Sequence, residues 1–178
     1  LSSRKIALQN KARGRAFQAK LAQMAGGVNI GTLGGEDVSH EEFSYEAKTY
    51  KPNTVSNKGR NWVGEQMLYH VDKGDVKKYV VYKVEMPSCN LIMLRWVWWK
   101  DILEGNVNEV LLRNNTISVF LNKFIGFTYM RQAEANCPDG KLPVVVVHTT
   151  GKRHERDIVL LLDEYWNSLI NKILDKSV

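Results

Sequence analysis

The sequence predicts an α/β fold, a mixed sheet flanked by helices, and three observations lead to it. Two apolar runs near the C-terminus, LPVVVVH (142–148) and DIVLLLD (157–163), are unbroken, as in strands buried on both faces of a sheet. FSYEAKTY (43–50) alternates with period two, sending Phe43, Tyr45 and Ala47 to one side and Glu46 and Lys48 to the other. Both ends of the chain carry apolar residues at helical spacing.

Residues 5–25 read as a helix with Phe17, Leu21 and Met24 on one stripe and Arg4, Lys5, Lys11, Arg13, Arg15 and Lys20 elsewhere. Gly26-Gly27 ends it, and further glycines lead into FSYEAKTY. In the middle, GRNWVGEQMLYHV (59–71) reads as a short helix, and KKYVVYKV (77–84) and NLIMLRWVWW (90–99) read as strands. A second clear helix is expected from Thr116 to Ala135, with Leu121, Ile125, Thr128 and Gln132 on one face. The two apolar strands follow, joined by the basic loop TTGKRHER, and EYWNSLINKIL closes the chain as an amphipathic helix. YVVYKV…LIMLRWVWWKDIL and VVVVHTT…IVLLLDEYWNSLI echo one another as strand, hairpin, strand, aromatic pair, helix.

The 178 residues, 44% of them hydrophobic, suit one domain carrying a large insertion and can bury a sizeable core. Segments 1–50 and 116–178 are expected to form the core and 51–115 an insertion of mixed α/β or mainly β character. The lack of an initiator methionine is what a chain cut from a longer product would show. Cys89 and Cys137 have no ligand spacing, so neither a disulfide framework nor a zinc knuckle is expected, and a reducing, intracellular setting fits. Arg95 interrupts the longest apolar run, which excludes a membrane span.

The net charge of +6 suits an anionic partner, nucleic acid being the commonest. Residues 51–100 carry nine Lys/Arg against four Asp/Glu, so the middle of the chain would contribute to that contact. Trp96, Trp98 and Trp99 are expected in a core or a dimer interface, in preference to stacking on bases. His40, His70, His148 and His154 are scattered and read as surface or strand-packing residues; HEE at 40–42 does not make the HExxH zinc motif.

Against this basic background, GEDVSHEEFSYEAKTY (35–50) holds five carboxylates. A hairpin can bring Asp37 beside Glu46, and Glu46 and Lys48, two residues apart on a strand, share a face. Two carboxylates and a substrate phosphate suit a hard cation such as Mg²⁺, and the adjacent ammonium could offset charge building on phosphorus. An ordinary exposed strand carries Glu and Lys at this spacing equally well.

The order of elements, with RGRAFQ (13–18), GGEDV (34–38), FSYEAK (43–48) and RQAEANCPDGKLPVVVVHTTGKRHERDIVLLLDEYW (131–166), resembles the PD-(D/E)XK nuclease superfamily, in particular its phage-encoded, Holliday-junction-resolvase-like branch. The resemblance covers about half of the chain. It implies a restriction-endonuclease-like core, Mg²⁺-dependent (or Mn²⁺-dependent) cutting of branched DNA by a twofold dimer, and a phage gene expressed inside a bacterial host. A restriction or repair nuclease acting on duplex DNA, and a non-catalytic DNA-binding protein on the same scaffold, are the alternatives. Carried over by residue, Asp37 and Glu46 would hold metal, Lys48 would be the catalytic lysine and Gln132 would face the site, with Gln66 as its rival. Arg13, Arg15, Lys58, Arg60, Lys152 and Arg153 would meet the DNA backbone, with Lys77 and Lys78 beside them. The chain departs from the family at Gln18, where the first helix normally bears a glutamate; Glu36, Glu41 or Glu42 could stand in for it.

Overall fold

A computed structural model describes residues 2–31, 34–51, 79–121 and 124–175, with side chains through 172. The short helix expected at 59–71, together with Lys58, Arg60, Gln66, His70, Lys77 and Lys78, lies outside the described residues.

Helix α1 (Ser3–Ala25) ends at Gly26 in the left-handed conformation and is followed by β1 (Val28–Asn29), β2 (Val38–Ser39) and β3 (Phe43–Tyr50). Next come β4 (Val81–Glu85), β5 (Asn90–Arg95), α2 (Trp96–Leu103), α3 (Glu109–Asn114) and β6 (Thr116–Phe120). Helix α4 (Ile125–Asn136), β7 (Leu142–Thr149), β8 (Ile158–Leu162) and α5 (Asp163–Asp175) complete the chain. The strands form one mixed sheet in the order β1-β2-β3-β7-β8-β5-β4-β6, with β3–β7 and β4–β6 parallel and the other pairs antiparallel.

Each face of the sheet has its own core. On one, Phe17 and Leu21 of α1, Trp96, Trp98 and Trp99 of α2, and Trp166 and Leu169 of α5 cover Phe43, Tyr45, Val144, Val146, Leu94 and Val159. On the other, Met130 and Ala133 of α4 cover Tyr50, Val145, Val147, Met93 and Leu160. The apolar runs of β7 and β8 are thus buried on both faces, as two-sided cover requires.

Three sequence expectations change. WVWW is the start of α2, not the end of a strand: β5 stops at Arg95, and the Trp96 N–H donates to the Asp157 carbonyl across the sheet (2.7 Å). Arg95, which broke the apolar run, is itself buried, its guanidinium 5.3 Å from the Trp98 ring. The helix expected from Thr116 begins at Ile125, because TISVF, rich in β-branched residues, forms edge strand β6 against β4. The buried face of α4 is Gly126, Met130 and Ala133, so Gln132 stands off it.

The described part of the segment expected as an insertion, 79–115, belongs to the same sheet. It supplies β4 and β5 to the sheet interior, while β6, from the segment assigned to the core, lies at the rim. The echo has a structural counterpart: β4-β5-α2 and β7-β8-α5 are both antiparallel hairpins followed by a helix, and they abut through the β5–β8 pair. Among the described residues no helix is long and apolar enough to cross a membrane.

Candidate active site

Strand β3 builds the site. Its period-two alternation puts Phe43 and Tyr45 into the core under α1 and α2, and turns Glu46 and Lys48 to the α4 face. Strand β2, which lies between β1 and β3, covers β3 only through Val38 and Ser39, and the chain enters it through Gly34 and Gly35, both at positive φ. Asp37 sits at this step, its N–H donating to the Tyr45 carbonyl (3.2 Å). Its carboxylate takes the place of the missing strand: Oδ2 accepts the Ala47 N–H at 2.9 Å. Asp37 is therefore held in the plane of the sheet, where groups from both faces reach it.

From the α1 face, Gln18 Nε2 donates to Asp37 Oδ1 (2.7 Å). The approach needs Gly31, since a Cβ there would lie 2.8–2.9 Å from the Gln18 amide. From the α4 face, the Lys48 ammonium donates to Glu46 Oε1 (2.7 Å) and to Gln132 Oε1 (2.8 Å). Asn136, one turn beyond Gln132, donates to Glu46 Oε2 (3.3 Å). The Tyr129 ring lies 5.7 Å from Lys48 Nζ and closes that side. Glu46 is only 3% exposed, so its charge relies on these partners.

Asp37, Glu46, Lys48, Gln132 and Gln18 thus meet, from α1, β3, α4 and the entry to β2. Glu36 does not join them: it is buried, its Oε1 pairs with Lys141 (3.1 Å), and its Oε2 has no hydrogen-bond partner. Glu42 lies four residues up β3 from Glu46, about 13 Å along a strand, and like Glu41 is exposed. Arg13 lines the groove beside α1, Arg15 is exposed on the same helix, and Lys152 and Arg153 are exposed in the β7–β8 loop.

Burial raises the Asp37 pKa above its ordinary 3.8, with the Glu46 charge adding to the rise; the Ala47 N–H, Lys48 and Gln18 oppose it. An acid raised in the folded state stabilises the fold below its unfolded pKa, and that stability is lost as pH rises through the folded value. At neutral pH the ionised Asp37 is a net cost. The melting temperature of wild type without divalent cations is accordingly expected to fall more steeply than that of Asp37→Asn as pH rises from acid toward neutral, in paired thermal melts.

Two of the histidines, expected to be scattered, come together. His148, at the end of β7, and His154, in the following turn, stack at 4.2 Å, and both rings stack on Phe17. Their Nδ1 atoms meet the two oxygens of buried Asp157, at 2.6 and 2.9 Å. The three residues are also the group of ligand types that, among the described residues, could hold a metal ion. A sequence sign existed: Asp157 opens an apolar run, a place where a carboxylate must be buried and partnered.

Compared with known proteins, the chain matches no family model, no curated protein and no solved structure.

Proposed function

We propose that this chain is a Mg²⁺-dependent endonuclease on a restriction-endonuclease-like core, hydrolysing phosphodiesters in branched DNA. The observation that carries the reading is the meeting of Asp37 and Glu46 beside the Lys48 ammonium. The donor set fits the cation. All four carboxylate oxygens accept one hydrogen bond each, and an ionised carboxylate oxygen can accept about two. The free capacity is hard oxygen, which Mg²⁺ prefers over nitrogen or sulfur. Two carboxylates close enough to raise the Asp37 pKa also form a site whose repulsion a dication relieves.

Mg²⁺, when bound, supplies positive charge against the phosphate oxygens. The chain supplies position. Gln18 and the Ala47 N–H fix the two Asp37 oxygens, and Gln132 fixes Lys48. Lys48 holds its ammonium where charge builds on phosphorus or where the attacking water is oriented. Arg13, Arg15, Lys152 and Arg153 meet the DNA backbone. Cutting two strands of a junction symmetrically calls for a twofold dimer.

One observation favours a second reading, a DNA-binding protein without cleavage. Gln18 is neutral and donates to Asp37, so it adds no oxygen charge to the site. A four-way junction and a matched duplex, incubated with Mg²⁺ or Mn²⁺, separate the two readings. Cleavage of the junction is expected, and Lys48→Met should reduce it about 10²–10³-fold. Tight, salt-sensitive binding with no cutting by wild type would select the second reading. Cutting of the duplex without junction preference would select a restriction or repair role. Mg²⁺ should also raise the melting temperature of wild type, by ~2.7 kcal/mol of stability at a hundredfold excess over Kd, and not that of Asp37→Asn.

A further inference from the structure

Across β3 from Lys48, a groove of about 220 Å³ opens between α1 and the C-terminal ends of β3 and β7. Arg13, Lys20, Thr49, His148, Thr150 and His154 line it, over a floor that includes Phe17. No carboxylate is among the lining residues. Arg13 is held by neutral acceptors of its own helix, the Asn10 side chain and the Gln9 carbonyl. Neither Arg13 nor Lys20 has an ion-pair partner among the described residues. We propose that this groove binds a backbone phosphate of the DNA strand, next along from the phosphate at Lys48.

The chemistry of the lining selects an anion. Each imidazole turns Nδ1 to Asp157, which leaves Nε2 as the ring nitrogen open to a ligand, and in the protonated ring that Nε2–H donates to a phosphate oxygen. Asp157 is 1% exposed and both of its oxygens are engaged, so a ligand meets the imidazoles and not the carboxylate. The stack of Phe17, His148 and His154 fixes the rings before anything binds, which lowers the ordering cost of recognition. Two cations at the rim, two hydroxyls and two fixed imidazoles match a phosphate with its sugar. A transition metal on the same imidazoles would face Arg13 and Lys20, which disfavour a cation.

Position selects a nucleic-acid strand. Thr49 follows Lys48 directly and faces the opposite way, and it is in register with His148 on β7. Gln18, which holds Asp37, is the neighbour of Phe17 in the groove floor. The groove and the carboxylate site are therefore the two sides of one strand end, and a strand crossing that end reaches both.

The inference rests on DNA being the partner, but not on cleavage, and its test is run in EDTA, where no Mg²⁺-dependent cutting occurs. Binding of a labelled oligonucleotide is followed by fluorescence anisotropy over a salt series. Lys20→Gln should weaken binding severalfold and reduce the magnitude of the slope of log K against log salt by about 0.7–0.9, the signature of one lost phosphate contact. Lys5→Gln, exposed on the same helix outside the groove, should leave the slope unchanged. Equal effects of both substitutions, or none at Lys20, would overturn the proposal. The ring signals of His148 and His154 should move on addition of the oligonucleotide in NMR spectra. Static signals, or an equal response to inorganic phosphate alone, would also overturn it. A wild type that binds in this way and never cuts would remove the cleavage reading and leave the groove standing.

Discussion

Glu46→Ala is expected to abolish Mg²⁺-dependent cleavage while DNA binding persists. Glu46 meets Lys48 and Asn136 and lies close enough to Asp37 to raise its pKa, so its loss removes half of the oxygen set and one anchor of the ammonium. A metal at a phosphoryl group contributes several kcal/mol to the transition state. At 1.36 kcal/mol per tenfold, losing about 4 kcal/mol lowers the rate roughly 10³-fold. Binding should survive because the phosphate contacts proposed for α1 and the β7–β8 loop do not involve Glu46, and deleting a carboxylate that faces a polyanion reduces repulsion. Glu46→Gln, which keeps the volume, should show the same loss and guards against a packing artefact in the alanine variant. Undiminished cutting by either variant would refute the assignment of Glu46.

What the sequence disclosed about this site follows from how local the contacts are. Asp37, Glu46 and Lys48 lie within twelve positions of each other, so strand alternation and one hairpin suffice to bring them together. Gln132 is 84 residues from Lys48, and its contact cannot be read from spacing. The resemblance points to Gln132, while the face it was expected to share with Leu121 and Ile125 is not the buried one: the residue is exposed, and Gly126, Met130 and Ala133 face the core. Gln18 stands where the family has a glutamate, and its amide donates to the Asp37 carboxylate. The histidine pair is not legible in the sequence because a hairpin turn, and no fixed interval, joins His148 to His154. Short apolar segments misled in both directions, since TISVF and WVWW each fit a strand or a helix when read alone. Tertiary partners decided them: the parallel β4 edge for the first, and the Asp157 carbonyl for the second.

Trp99→Ala should destabilise the whole described fold by about 3–5 kcal/mol, the usual cost of emptying a buried aromatic site. Trp99 is fully buried on α2, edge-on to Phe43 at 5.3 Å, and its indole N–H donates to the Tyr45 hydroxyl (3.3 Å). The alanine leaves a cavity and strips that buried hydroxyl of its donor. Against a total stability of ~5–15 kcal/mol the loss is large, and for a chain of this size it lowers the melting temperature by roughly 6–20 °C. The position of Trp99 gives the measurement a second use. Phe43 and Tyr45 are the reverse face of the strand that carries Glu46 and Lys48, while Trp99 comes from the segment expected to be an insertion. If 79–115 shares one cooperative core with β3, as the common sheet implies, calorimetry will show a single transition displaced as a unit. Cleavage and structure would then be lost together on warming. An early transition confined to part of the enthalpy, with β3 and its site still folded above it, would instead mark the segment as an independent unit.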